Sequence, residues 1–533
     1  MNSKSLISPM NKMTVAEGLT LFPAESPRKV QILRPFAAYS VKSYSTPVTA
    51  PIGPAYLAAI LEKAGYAVGI IDGIGEGIEN LRRSECGKYA FQGLTVEEIV
   101  ARIYPETEVL GISLMFSQDW VPQRQLINAI KTAWPTLTII VGGEHPTAMP
   151  DYVLRDCPNI DYIIAGEGEL ALLEFLHLHF AGKETSQIPG LFSIGEDGAL
   201  LNIGPARRIS DFANLPWPAW HLCDIEKFFM GMWSMGIGYG RNMLVLATRG
   251  CPYQCTFCSN PAMWTTRYMM RPVNDVLDEI QHLIATYGAN SIDFADLTAI
   301  VKKEWIMEFC AEIKRRGMDF VWQLPSGTRS EALDSETVQA IYDAGCRFLV
   351  YAPESGSART LVKIKKRLKL DRMYVSIRQA VKAGHTIKIN FVIGFPHENR
   401  RDMLKTLWAS MRMAVLGVSD SNIAIFSPYP GSEIFYELQA DGTIPELNDT
   451  YFHNLLVQFD FTLAHSVCKN VPSWEIAAYR FFGMSSFYVL SYLMRPARLW
   501  RLFRNITGKD FHANSLFEQR IFDLLKRSQL SKS

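Results

Sequence analysis

Three cysteines stand within eight residues, in the stretch Arg249-Gly-Cys251-Pro-Tyr-Gln-Cys255-Thr-Phe-Cys258-Ser-Asn260, where an apolar run from Met243 to Thr248 gives way to a polar loop. Soft thiolates in this CxxxCxxC spacing suit a zinc or iron–sulfur centre better than a disulfide. Structural zinc is tetrahedral and wants a fourth ligand close by, yet no Cys or His follows within the next twenty residues. A 4Fe–4S cluster held by three thiolates leaves one iron open to a substrate-like molecule. The competing reading, three unpaired thiols gathered by chance, runs against the usual scatter of free cysteines through protein cores. The other six cysteines, Cys86, Cys157, Cys223, Cys310, Cys346 and Cys468, are dispersed and do not form a disulfide framework. That usage points to a reducing, cytoplasmic compartment.

With the aromatic Phe257 just before the third cysteine, the motif resembles that of the radical S-adenosylmethionine (SAM) superfamily. The resemblance implies that Cys251, Cys255 and Cys258 hold a 4Fe–4S cluster. It also implies that SAM chelates the open iron and is cleaved to a 5'-deoxyadenosyl radical, with Phe257 lying near the cofactor.

A chain of 533 residues is too long for one core and calls for two or three domains. Its 54 basic residues nearly balance 53 acidic ones, so bulk charge offers no attraction for nucleic acid. Residues 1–28 are polar and rich in Ser and Met, which predicts a flexible tail without a signal sequence. No run reaches the roughly 18 apolar residues that a membrane span needs.

From Val30 onwards short apolar strands alternate with amphipathic helices. Val30–Leu33, Ala67–Ile71, Val109–Leu114, Leu137–Val141 and Tyr162–Ile164 read as strands, with helices over Gly53–Gly65, Pro122–Ala133 and Glu169–Phe180. This predicts a doubly wound, Rossmann-like parallel sheet over 29–187, with any ligand beyond the strand carboxyl ends. Those ends carry Ser113, Ser117, Gly142, Gly143, Gly166 and Glu167, small or polar residues that let a backbone approach a ligand. The stretches Pro51–Leu57, Gly65-Tyr66 before Asp72, Val141–His145 and Gly166–Glu169 resemble the cobalamin-binding domain that precedes many radical SAM modules. The resemblance makes those six residues candidate cobalamin contacts. The Asp-x-His-x-x-Gly signature that supplies a lower cobalt ligand is missing, and His145 is read as a loop hydrogen-bonding group rather than a substitute ligand.

The density of Pro and Gly between 188 and 242 predicts an extended linker. Within it, Leu215–Trp220 should pack across a domain interface, and Phe228–Tyr239 reads as either a packed loop or a lid. Six strands then recur with intervening helices over 243–438: Met243–Thr248, Ser291–Ala295, Phe320–Gln323, Phe348–Ala352, Ile387–Ile393 and Asn422–Phe426. Six fall short of a closed eight-stranded barrel, so an open (β/α)6 partial TIM barrel is expected, with its site at the carboxyl ends. Asp293, Asp296, Gln323, Ser326, Arg329, Glu354, Ser355, Asn390 and the loop Gly394–Glu398 gather there. Pro353–Gly356 and Ile393–Pro396 resemble the superfamily's Glu-Ser-Gly and Gly-Phe-Pro motifs, which implies SAM contacts from Glu354, Ser355, Asn390 and Gly394.

Residues 439–533 are mainly helical in pattern, and aromatics from Trp474 onwards lead into an arginine-rich run to Arg504. A helix pair packed on the barrel is the plain reading. A face touching a membrane or a hydrophobic substrate is the other.

The combined resemblance implies methylation of an unactivated carbon on a hydrophobic or natural-product-like molecule. One SAM would recharge cobalamin with methyl, and a second would yield the radical that opens the substrate carbon. A flavodoxin or ferredoxin would supply electrons. A porphyrin-type oxidative cyclase, another cobalamin-assisted rearrangement, and a non-catalytic iron–sulfur sensor are the alternatives, and the expected partner is a small-molecule substrate, lipid-like or porphyrin-like. No general base is required.

Overall fold

A computed structural model describes residues 12–41, 48–84, 87, 89–329, 332–444, 446–456, 465–507 and 515–520. Cys86 and the first eleven residues of the expected tail lie outside these. The remainder of that tail is structured. Thr14 caps a helix over Val15–Leu21, accepting from the Glu17 amide at 3.1 Å while Glu17 accepts from the Thr14 amide at 2.7 Å. Val15 is buried, and Lys12 and Met13 pair with Arg208 and Ile209. Polar composition alone concealed this reciprocal cap.

The first sheet contains strands β1 (Lys29–Arg34), β2 (Ala67–Asp72), β3 (Val109–Ser113), β4 (Thr138–Gly142), β5 (Tyr162–Ile164), β6 (Leu191–Ile194) and β7 (Leu200–Leu201) in the order β7-β6-β5-β4-β3-β1-β2. Strands β1 to β5 are parallel, and β6 adds antiparallel to β5. The chain reverses direction across the sheet between β1 and β3, a topological switch point of the kind beside which ligands sit in open α/β sheets. Helices α1 (Ile52–Lys63), α2 (Trp120–Ala133) and α3 (Gly168–Phe180) cover its faces. The expected linker therefore contributes two edge strands, which their flanking Gly and Pro residues had disguised. A small three-stranded sheet (Ala37–Ser40, Leu81–Arg83, Tyr89–Gln92) was not anticipated either.

The second sheet is parallel and sequential: β8 (Asn242–Val245), β9 (Ser291–Phe294), β10 (Val321–Thr328), β11 (Cys346–Glu354), β12 (Thr386–Ile393) and β13 (Asp420–Ile425). These six strands match the open partial barrel read from the sequence. In β12 the burial alternates strictly, Ile387, Ile389, Phe391 and Ile393 being fully buried while Lys388, Asn390 and Val392 are half-buried. A period of two places the latter on the opposite face of the sheet.

The segment before β8 is a packed plug rather than a lid. Phe228 and Phe229 are buried, and Asp293 accepts from Ser234 Oγ at 2.9 Å and the Met235 amide at 2.7 Å. Gln323 exchanges bonds with Ile237, accepting its amide at 3.0 Å and donating to its carbonyl at 2.8 Å. Helix α4 (Arg400–Leu416) backs the barrel, and α5 (Ser473–Met494) packs on α4 and β13 before α6 (Pro496–Thr507). An earlier C-terminal helix, Asp449–Leu455, reaches back to the first domain, where Phe452 meets His145 edge-on and Arg124 pairs with Asp449 at 2.9 Å.

Candidate functional site

The carboxyl ends of the two parallel sheets face each other. Beyond β4, the short helix Glu144–Ala148 lies against the short helix Asn260–Trp264 that follows the cysteine loop. Ser259 donates to Glu144, and Thr147 Oγ1 contacts Met263 Sδ at 3.5 Å. Beyond β13, Tyr429 donates to Gln118, and Tyr436 donates to the Ala148 carbonyl at 3.3 Å. One apolar cluster runs through this junction from Trp120 and Val141 to Phe395, Phe426 and Phe435.

A buried ion network locks the arrangement. The Arg249 guanidinium meets Glu169 at 2.5 Å and Glu167 at 3.4 Å, and Glu167 also pairs with Arg208 at 2.7 Å and accepts the Ile209 amide at 2.9 Å. Burial alone would depress Arg249, but the two carboxylates hold its pKa above the ordinary value. Arg249 also lies over the Phe212 ring, its Cζ 4.5 Å from the centroid. Glu167, anticipated as a cobalamin contact, is thus engaged inside the protein and braces the two modules. Its only sequence signal was the acidic spacing Glu167-Gly-Glu169 and an Arg directly after an apolar run.

Among the cobalamin-side residues, Gly143 has φ +115°, and a Cβ there would stand 2.5 Å from the Leu114 carbonyl oxygen. Gly142 and Ser113 end their strands beside it. Gly166 has φ +77° and backs onto Ala206. Ser117 is buried and bonded to His145 Nδ1 at 2.9 Å. His145 is fully buried between Trp120 and Phe452, and that burial lowers its pKa to about 3. It forms a hydrogen bond, as read from the sequence, but from a short helix rather than a loop.

The three cysteines share one half-buried loop, folded by Gly250 at φ +83° and tied to the barrel by the Thr256 amide donating to the Ile364 carbonyl at 3.1 Å. Among the described residues no group of three His, Cys, Asp or Glu side chains stands assembled to hold a metal ion. Burial pushes the Cys258 thiol up to about 12, with Glu144 and the other two cysteines adding to it. The thiol is therefore neutral when nothing is bound, and would lose its proton only to a cationic centre such as a cluster's irons.

Several expected pocket groups are spent internally. Asp296 accepts from Thr248 and from the Ala247 amide at 3.2 Å, and Ser355 contacts Thr406 at 3.1 Å while accepting the Ser357 amide at 3.1 Å. Glu354 has φ +65° and pairs with buried Lys366 at 2.7 Å. Lys365 and Arg367 flank that lysine at φ +53° and +50°, so three non-glycine residues in the left-handed region bracket the Glu354–Lys366 pair, whose charges act on the Cys255 thiol. Arg329 donates to the Lys366 carbonyl at 2.9 Å and stacks 3.7 Å over Tyr253. Phe257 packs on Phe395 with ring centroids 5.7 Å apart. Gly394, at φ +89°, follows β12.

What is left unpaired tests whether a ligand fits. Asn260 is 5 % exposed and neither atom of its amide is bonded; the Thr256 hydroxyl and Asn390 Oδ1 are likewise buried without partners. Buried polar groups are normally satisfied, so these four atoms on three residues, around the cysteine loop and the fifth barrel strand, fit polar cofactors. Asn260 was not singled out from the sequence, because an Asn at a helix start reads as a turn residue.

This site defines a radical SAM protein with a corrinoid-binding module at its N-terminal side. Comparison bears that out: the B12 binding domain matches residues 43–176 and the radical SAM superfamily matches residues 245–407. The chain thus joins a cobalamin-binding module to a radical SAM module, and its cofactors are a 4Fe–4S cluster, SAM and cobalamin. It is 27% identical over 420 residues to an uncharacterized methyltransferase of Pyrococcus horikoshii, covering 79% of this chain and 85% of that one. It is 28% identical over 457 residues to the cytidylyl-2-hydroxyethylphosphonate methyltransferase of Streptomyces wedmorensis, covering 80% and 84%. In fold it is similar to the radical SAM methyltransferase TsrM of Kitasatospora setae, solved with cobalamin and a 4Fe–4S cluster (TM-score 0.64, 17% identity, 94% of this chain and 99% of that one).

Proposed function

We propose that the protein methylates an unactivated carbon of a hydrophobic or natural-product-like small molecule. The observation that carries this is the opposition of the two strand-end faces, Glu144–Ala148 against Asn260–Trp264, with the Arg249 network clamping them. When bound, the cluster and SAM supply a hydrogen-abstracting radical, and cobalamin supplies methyl. Cys251, Cys255 and Cys258 would hold the cluster. Phe257, Glu354, Ser355, Asn390 and Gly394 would shape the SAM side, the first by stacking and Ser355 through the turn it holds. Ser113, Ser117, Gly142, Gly143 and Gly166 would border the corrinoid. The protein's work is placement and exclusion of water, since a primary radical attacks the first hydrogen it meets. An acidic one-electron carrier such as a flavodoxin or ferredoxin, in a reducing cytoplasm, would recharge the cluster.

An anaerobic assay tests the reading. Protein reconstituted with iron, sulfide and cobalamin is given SAM and a strong reductant with candidate substrates, and the SAM products are quantified. Matched formation of 5'-deoxyadenosine and S-adenosylhomocysteine is expected. Deoxyadenosine alone would indicate cyclisation or rearrangement, and neither product would sink the radical-enzyme assignment. Cys255→Ala should abolish both the cluster's absorbance and SAM cleavage.

A further inference from the structure

Helix α5 is apolar on every side. Between Ala477 and Met494 its only charged residue is Arg480, which is buried. Helices of that composition are ordinarily enclosed. One side is enclosed, with Ile476, Met484 and Phe487 in the barrel's outer core. The other side is open: Trp474, Phe482, Val489 and Leu493, at intervals of eight, seven and four, are 59–73% exposed. Alongside, α4 turns out Leu404, Trp408 and Val415, and α6 turns out Leu499 and Trp500, all between 45 and 67% exposed. An apolar surface built from three packed helices exceeds the single exposed side chains that need no explanation.

Positive charge predominates around this surface, and the acidic residue beside Trp474, Glu475, is paired with Arg400 of α4 at 2.7 Å. On α4 the exposed neighbours of Trp408 are Lys405 and Arg412, while its acidic residue, Asp402, is turned inward to Ser357 and Arg359. Helix α6 contains no acidic residue, and Arg504 lies 5.1 Å over the Trp500 ring. The whole chain carries a net charge of only +1, so this segregation is local. Three tryptophans among cations match the boundary between lipid headgroups and acyl chains. A second copy of the chain fits poorly, because a two-fold contact would set cation against cation. No helix of the described residues is long and apolar enough to cross a membrane, so the face would lie on a bilayer rather than span it.

We infer that α4, α5 and α6 form a docking face for an anionic lipid bilayer, with the aromatic side chains entering the interface and the flanking cations meeting lipid phosphates. The face is made of the barrel's backing helix as well as the C-terminal pair, so docking fixes the catalytic module itself on the membrane.

Flotation of the full chain with vesicles tests this. Vesicles of phosphatidylcholine, with or without phosphatidylglycerol, are the probe. The chain should float with the anionic vesicles, its tryptophan emission should shift to the blue, and added salt should weaken binding. The double substitution Trp408→Ser with Phe482→Ser should weaken partitioning roughly tenfold or more, and an unchanged melting curve would show that it folds. Lys405→Glu disturbs no apolar contact and should weaken binding roughly fivefold. Failure of the unmodified chain to float, or flotation of the double variant at full strength, would overturn the inference. So would a dimer in sedimentation equilibrium that the double substitution dissolves, since the face would then be covered by a second copy.

Discussion

At position 249 a side chain only 4% exposed answers two carboxylates from the other module, at 2.5 and 3.4 Å. Removing it leaves Glu169 charged and unpaired in the interior, and breaking a buried pair from one side costs about 3–5 kcal/mol. Arg249→Met should lower stability in denaturant melts by that order, while the exposed pair Arg155–Asp151 should be worth under about 1 kcal/mol when broken. His145 offers a test with a defined sign. Its pKa falls from the ordinary 6.5 to about 3 in the folded chain because it is buried. The unfolded chain therefore binds the extra proton first, so His145's contribution is complete above pH 6.5 and is lost as pH falls toward 3. His145→Gln can keep a hydrogen bond to Ser117 without taking up a proton. Between pH 7 and 5 the unmodified chain should lose about 2 kcal/mol more than this variant, measured as the difference between their urea midpoints; equal losses would contradict the assignment.

At the scale of elements, the turns after strands determine what the site can hold. Gly143 sits at φ +115° with the Leu114 carbonyl where a Cβ would go. Gly143→Ala must push β4's end away from β3's, and cobalamin retention on gel filtration should fall at least about tenfold while the iron content is kept. Retention equal to that of the unmodified chain would remove this turn from the cofactor's border. Periodicity made the strands legible: Thr138–Gly142 and Thr386–Ile393 lie within a residue of the apolar runs that predicted them. Elements whose stability comes from distant partners were not legible. Leu191–Ile194 is a strand because β5 lies beside it, and Val15–Leu21 is anchored by Asp211, nearly two hundred residues on. The same limit applied to polar side chains. The sequence placed Asp293, Gln323 and Glu167 near strand ends, but only the fold reveals that Ser234, Ile237 and Arg249 already engage them, Asp293 through one carboxylate oxygen alone.

Across the whole molecule, the two parallel sheets present their carboxyl ends to each other, and the cysteine loop lies in that junction with Asn260 unsatisfied at its edge. The C-terminal region closes the arrangement from outside, through Phe452 on His145 and through α5 on the barrel. The central claim is that one chain holds a cluster and a corrinoid at the same time across this junction. Cofactor content after anaerobic reconstitution and gel filtration tests it most directly. The account predicts about four iron and about one cobalamin per chain, with Cys255→Ala losing the iron and keeping the cobalamin. A chain that binds the cluster but releases cobalamin, or whose cobalamin departs with the iron in Cys255→Ala, would contradict it.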